Sequence, residues 1–374
     1  MKEIFRVTLF VCLCLLLLTF VGCGDKEKDE TAASFTSNGD GTCAISSVGK
    51  CTKTDFVIPV ESPAGDRVTS IAEYAFSGCT ALTSVSIPDS VEKIGDYAFN
   101  CCFGLTSVTI GNGVESIGES AFRRCSKLIS VTIGNRTKSI GEFAFFNCSE
   151  LTTITIPNTV TSIGQYAFAD CPKLTAVTIG NGVTSIGEFA FRNCSELTAI
   201  AIPNSVITIG GEAFSGCTGL TSLTIGNGVT DIGDRAFCNC SGLTSVTIPD
   251  NVTRIWGGTF EGCTGLTSVS IGDGVTIIGV SAFFGCTKLI SVNIPNSVTI
   301  IRDNAFSGCT GLTSVTIGNG VTDIGDRAFN NCSGLTLIDY QGMKSQWTQI
   351  TKEGDWNKNT GSYTIQCTDG SFSK

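Results

Sequence analysis

The 374-residue chain carries 44 Gly, 20 Cys and 23 Phe but no His, and only 15% of it is charged, with a net charge of −9. Without His it lacks the commonest general base and the commonest metal ligand, which removes most hydrolase, transferase and metal-site readings. The negative balance argues against nucleic acid, which needs a clustered basic face, and 42% hydrophobic content excludes wholesale disorder.

Lys2 and Arg6 precede an apolar run from Val7 to Val21, short for a membrane span and laid out as a signal peptide over residues 1–22. The run ends in Phe20-Val21-Gly22-Cys23. This ending resembles the lipobox of bacterial lipoproteins, with Phe20 where the lipobox carries Leu. The resemblance implies lipid attachment at Cys23 and contact with the membrane through that lipid alone; an ordinary cleaved signal peptide is the alternative. Residues 23–40 open on Gly-Asp-Lys-Glu-Lys-Asp-Glu and are expected to form a flexible, lipidated tether.

From 71 to 337 one pattern governs the chain. Phe recurs every 23 residues from Phe76 to Phe329, Cys three residues after each Phe from Cys79 to Cys332, and Leu three residues later, giving twelve phased units. Within a unit, Leu105, Val108 and Ile110 read as a short strand with its apolar side chains turned inward. Gly-Asn or Pro-Asn supplies a turn, Val114 and Ile117 form a second inward patch, and Ala121-Phe122-x-x-Cys125 reads as a single helical turn. One unit cannot bury its apolar side alone, so the units must stack. The predicted fold is a repeat solenoid with short parallel β-strands and short helical turns. From Pro157 to Gly318, Pro and Gly alternate after the strand, a superimposed period of 46.

Several columns of the repeat invite a functional reading. The outward strand positions are small hydroxyls: Ser107, Thr109, Ser130, Thr132, Thr153, Thr155, Thr178, Ser245 and Thr247. They either form the binding face of the solenoid or serve as ordinary solvent-facing strand residues. Asp96, Glu119, Glu142, Glu188, Asp234, Asp303 and Asp326 follow the Ile-Gly step, where carboxylates either cap free N–H groups or line up for divalent cations. The phased cysteines are expected to be a buried ladder of free thiols, because parallel side chains make poor bridges. Departures from the pattern are either surface candidates or neutral drift in single copies: Trp256 and Arg302 in place of Gly, and the basic pair Arg123-Arg124. Thr137 and Thr259 replace the usual Val and Ala.

The unit Ile-Pro-x-x-Val-x-x-Ile-Gly-x-x-Ala-Phe-x-x-Cys-x-x-Leu, seen from Thr83 through Cys102, resembles the BspA-like leucine-rich repeat family of bacterial surface proteins. The stretch Gly41-Thr42-Cys43-Ala44-Ile45 resembles the family's opening rung, making 41–70 an N-terminal capping rung. The tail from Ile338 to Cys367-Thr368-Asp369-Gly370 resembles its closing segment, making 338–374 a C-terminal cap. Cys43 and Cys51, eight residues apart in the opening rung, either bridge or stay free in an exported compartment that permits disulfides. The resemblance implies a bacterial cell-surface location, at the outer membrane where the cell has one. It implies adhesion to extracellular or host proteins or to another cell surface, with no catalytic residue, cofactor or metal. A passive surface spacer is the alternative.

Overall fold

A 23-residue unit that is apolar on one side finds its partner in its own copies. In the computed structural model, which describes residues 33–49 and 51–373, the units stack as a parallel β-solenoid of about 14 turns. The expected signal peptide, Cys23 and the first part of the tether lie outside the described residues. Each rung supplies a long strand, such as Ser107–Ile110, and a short one, such as Ser116–Ile117. Neighbouring rungs pair in strict 23-residue register, Val108 opposite Val131 and Ile140 opposite Ile163. On both sides of the coil the sheet is interrupted at one junction: between Ser222–Ile225 and Ser245–Ile248, and between Asp231–Ile232 and Arg254–Ile255.

The inward positions make one continuous core. The phased rings stack face to face from Phe76 to Phe329, with centroids 4.7 Å apart at Phe76–Phe99 and 5.6 Å at Phe237–Phe260. The column is closed by ring edges, Phe56 against Phe76 and Trp356 against Phe329. Removing one such buried ring would cost about 3–5 kcal/mol. At the far end a helix, Lys344–Gln349, buries Trp347, and the strands Thr364–Cys367 and Gly370–Ser373 form an antiparallel hairpin over the last rung.

Three expectations are corrected. The corner Ala121-Phe122-x-x-Cys125 is not a helical turn. Its N–H groups alternate between two kinds of partner. Arg123 and Cys125 donate to the carbonyls of Ser120 and Phe122 in the same rung, at 3.1 and 3.2 Å, whereas Ser120, Phe122 and Arg124 donate to Glu142, Ala144 and Phe146 of the next rung, at 2.7–2.8 Å. A helix would turn every N–H inward along its own axis and forfeit the second set. The alternation requires left-handed residues, here Ser120 (φ 54°) and Arg124 (φ 60°). Each costs about 1–2 kcal/mol for a residue with a Cβ, offset by the inter-rung bond that it makes possible.

The second correction lies at the start. Ala33–Ser37, inside the stretch expected to be tether, pairs antiparallel with Thr42–Val48. It covers the edge that a stack of parallel strands would otherwise leave open. The third concerns disulfides. Cys51 bridges Cys79, the first phased cysteine, with Cα atoms 5.3 Å apart, and Cys43 is free. The extended chain from Cys43 to Val48 spans about 16 Å, and it points the Cys43 thiol into the core opposite Val68. The ladder of free thiols therefore begins at Cys102.

These thiols are not mere apolar filler. Each Sγ–H donates to the carbonyl of the phased Phe 26 residues earlier, as in Cys102 to Phe76 (3.1 Å), Cys194 to Phe168 (3.3 Å) and Cys332 to Phe306 (3.1 Å). Burial pushes Cys171, Cys217 and Cys263 up to about 12. Thiol labelling of native protein should therefore be slow at the phased positions, and raising the pH from 7 to about 9 should not accelerate it at Cys171, Cys217 and Cys263, whose folded thiols stay protonated below about 12 while unfolded ones ionise at about 8.5. Denaturation without reductant should expose eleven phased thiols, Cys102 through Cys332. Exposure of none would mean that the column is cross-linked.

Candidate functional site

The outward face of the long strands carries the hydroxyls singled out above. Thr109, Ser130, Thr132, Thr153, Thr155, Thr178, Ser245 and Thr247 are exposed and Ser107 is half-buried. Strict register lines them up in rows: Ser107 beside Ser130, Thr109 beside Thr132, Thr155 beside Thr178. Ser245 and Thr247 face Ser268 and Ser270 in the other long sheet. The result is a flat, uncharged array. Threonines at the strand entrance have a different role, for Thr175 and Thr198 donate to the carbonyls of Thr152 and Thr175 one rung back, clamping adjacent rungs together.

Carboxylates and amides of the turns bond across rungs as well. The N–H groups of Glu119, Gly257 and Asp326 donate to Asp96, Asp234 and Asp303, each 23 residues earlier, at 2.9, 2.8 and 3.1 Å. Asn181 and Asn227 donate in the same way to Asn158 and Asn204. Among the described residues no group of three or more His, Cys, Asp or Glu side chains is arranged to hold a metal ion.

The departures from the repeat divide into two kinds. Thr137 and Thr259 are buried, and their hydroxyls donate to the carbonyls of Val114 and Trp256 at 3.0 Å, so they are packing residues. Arg123 is packing too. Its guanidinium lies 5.6 Å from the Phe143 ring and 5.4 Å from that of Phe146. It belongs to an edge that sequence reasoning missed, in which Tyr74 and Tyr97 stack at 4.9 Å, and Phe143, Tyr166 and Phe189 stack at 4.7 and 4.4 Å. The signal was an aromatic two residues before the phased Phe in five units. At this column the rung between Tyr97 and Phe143 carries only Ser120, and Arg123 of the same rung stacks on Phe143 instead. Burial lowers the affinity of Arg123 for its proton. Arg124 and Arg302, by contrast, are exposed.

Trp256 is a departure that stays partly at the surface. A Cβ at the equivalent Gly118 would come within 2.7 Å of the preceding rung's backbone, which is why Gly is the rule at this column. Arg302 is absorbed with its rung bond intact, its N–H 2.9 Å from the Ile278 carbonyl. Trp256 instead sits at the junction where both sheets are interrupted. Its indole N–H donates to Asp231 at 2.7 Å, and the Arg254 guanidinium lies 4.7 Å from the ring centroid. The indole is thereby fixed, 36% exposed, between two shallow depressions of about 510 and 560 Å³.

The family described as BspA type leucine-rich repeat region matches residues 50–175, 129–244 and 230–353. The chain is similar to the solved structure of a leucine-rich cell surface protein from Faecalibacterium prausnitzii, with 34% identity, 89% of this chain and 99% of that one covered, and a TM-score of 0.53. It is also similar to a leucine-rich repeat protein from Bacteroides ovatus, with 29% identity, 91% and 100% covered, and a TM-score of 0.52. No curated protein matches it.

Arg123→Ala should destabilise the protein by about 1–2 kcal/mol through lost stacking on two rings, whereas Arg124→Ala should stay within about 0.5 kcal/mol. Chemical denaturation checks the pair, and equal costs would remove Arg123 from the packed edge.

Proposed function

This chain belongs to the BspA-type leucine-rich repeat family, and from that premise we propose that it is a lipid-anchored adhesin that binds extracellular or host proteins, or another cell, at the bacterial surface. The family's members are bacterial surface proteins, and their solenoid is a scaffold for protein interaction rather than catalysis. The observation that carries the reading is the similarity, over almost the whole of its length, to a leucine-rich cell surface protein. The molecule is suited to the task. Its interior is fixed by self-stacking, while the hydroxyl face and the irregular rungs stay open to solvent. The excess of acidic over basic residues disfavours nucleic acid as the ligand.

Lipid attachment at Cys23 would hold this scaffold at the membrane surface. Among the described residues no helix is long and apolar enough to cross a membrane. Mass spectrometry of the native N-terminus should find a diacylated or triacylated Cys23 as the first residue. An unmodified residue in that place would remove the anchor.

Binding itself is tested with purified protein on a panel of immobilised extracellular-matrix proteins and intact bacterial cells. Saturable binding to at least one of them is expected. Uniformly absent binding would favour a passive spacer, for which the monotony of the hydroxyl face would then be the explanation.

A further inference from the structure

We infer that the depression between Phe189 and Trp256 docks a basic segment of the partner protein, an arginine or lysine side chain entering an apolar-walled, acid-rimmed groove. The inference rests on the reading of the chain as a protein-binding surface and names the place and the chemistry.

The groove opens where one side chain is missing. The column after Ile-Gly carries an acid in most rungs, but Gly211 and Gly257 interrupt it on either side of Asp234. Where Gly211 stands, a Cβ would meet only the Asp234 carbonyl oxygen, at 3.3 Å. Its backbone is in an ordinary conformation, so a side chain there meets one close contact instead of the backbone clashes at the neighbouring Gly210 and Gly233. Opening there is a depression of about 560 Å³ that runs across four rungs, from Phe189 to Trp256. Three steps of about 4.8 Å make it about 14 Å long, room for about four extended residues.

Phe189 and the indole of Trp256 wall it, with the chain's own Arg192 and Arg254 guanidinium groups 5.4 and 4.7 Å from their ring centroids, so the walls supply apolar surface and the preference for a charge comes from the rim. Glu188, Asp231 and Asp234 stand along it. Their partners are neutral groups: Gln165 on Glu188 at 3.1 Å, the indole N–H on Asp231, and the Gly257 N–H on Asp234. Among the described residues no cation forms an ion pair with any of the three, while Glu212 and Arg235, which also line the groove, are engaged with Arg192 and Glu261 at 3.6 Å. The lining therefore sets the carboxylates of Glu188, Glu212, Asp231 and Asp234 against the Arg235 guanidinium alone, an acidic excess around apolar walls that favours a cationic side chain with an aliphatic stem over an anion or a neutral chain.

The three tryptophans of the chain make the test direct, because Trp347 and Trp356 belong to the closing segment. In a ¹⁵N-labelled sample each indole gives its own signal. Titration with the peptide Ala-Arg-Ala-Arg-Ala-Arg at low salt should move the Trp256 signal and leave the other two in place. The peptide Ala-Glu-Ala-Glu-Ala-Glu should move none. Gly211→Gln refills the vacated column with the residue that Gln165 supplies two rungs away, and Asp234→Asn keeps an acceptor for the Gly257 N–H while removing the charge. Each should weaken the arginine peptide about tenfold or more. Equal response to both peptides, no response at Trp256, a response to calcium chloride but not to the arginine peptide, or undiminished affinity in both variants would overturn the inference. Wild-type protein that binds the matrix or cell panel but not the arginine peptide sinks the groove alone. Protein that binds the peptide at Trp256 but nothing on the panel leaves the groove standing and sinks the adhesin.

Discussion

Every rung of this molecule must tolerate a copy of itself about 4.8 Å away, and the rest of the structure follows from that constraint. A residue type is admissible at a buried column only if it packs on its own kind. Phe does so face to face. Cys does so because its thiol turns to a carbonyl of the preceding rung rather than to its neighbour. Thr and Asn succeed at the corners because their side chains bond the backbone one rung away. Charges fare worst under self-stacking, since like charges one rung apart repel. Where they occupy neighbouring rungs, signs often alternate, as Lys138 on Glu115 and Lys173 on Glu150. Exposed pairs of this kind add little stability; their value is that the column is not repulsive.

The same constraint explains what could be read from the sequence. The inward positions were legible because self-stacking forces them to repeat, and Phe, Cys, Leu, Val and Ile each declare their phase. The corner was misread because Ala-Phe-x-x-Cys has the spacing of a helical turn, and the i to i−3 bonds expected of one are present. What distinguishes the real corner is the left-handed backbone at residues such as Tyr97, Phe143 and Tyr166. These side chains give no hint of it, since residues outside Gly and Asn seldom adopt that conformation. The Cys51–Cys79 bridge was invisible for another reason. It joins the irregular opening segment to the first regular rung across 28 residues, where periodicity has nothing to say.

At the candidate site the outcome was divided in the same way. Trp256 was legible as a large aromatic in a glycine column. Arg123 was legible as an irregularity but belongs to the packing, because its guanidinium covers two aromatic rings. Gly211 was hidden among 44 glycines, most of which mark places where a Cβ would strike the neighbouring rung. Only the space around it shows that this glycine is an omission rather than a necessity.

That difference bears on where specificity can reside in a self-stacked solenoid. A column that repeats through every rung presents the same group at every step, so a partner could slide along it by one rung without loss. The hydroxyl rows have this degeneracy: a contact with Thr155 is also available at Thr178. Register on the partner must come from a place where the translational symmetry is broken. The junction at Asp231–Ile232 and Arg254–Ile255 breaks it twice, in the interrupted sheets and in the indole that spans them. Corner bonds from Arg235 to Gly257 and from Phe237 to Thr259, each 2.9 Å, carry the coil through unbroken. Because each rung contacts only its neighbours, such a defect is confined to the rungs beside it. The repeat can therefore hold one non-repeating feature without surrendering the core, and that feature supplies the register that the uniform face lacks.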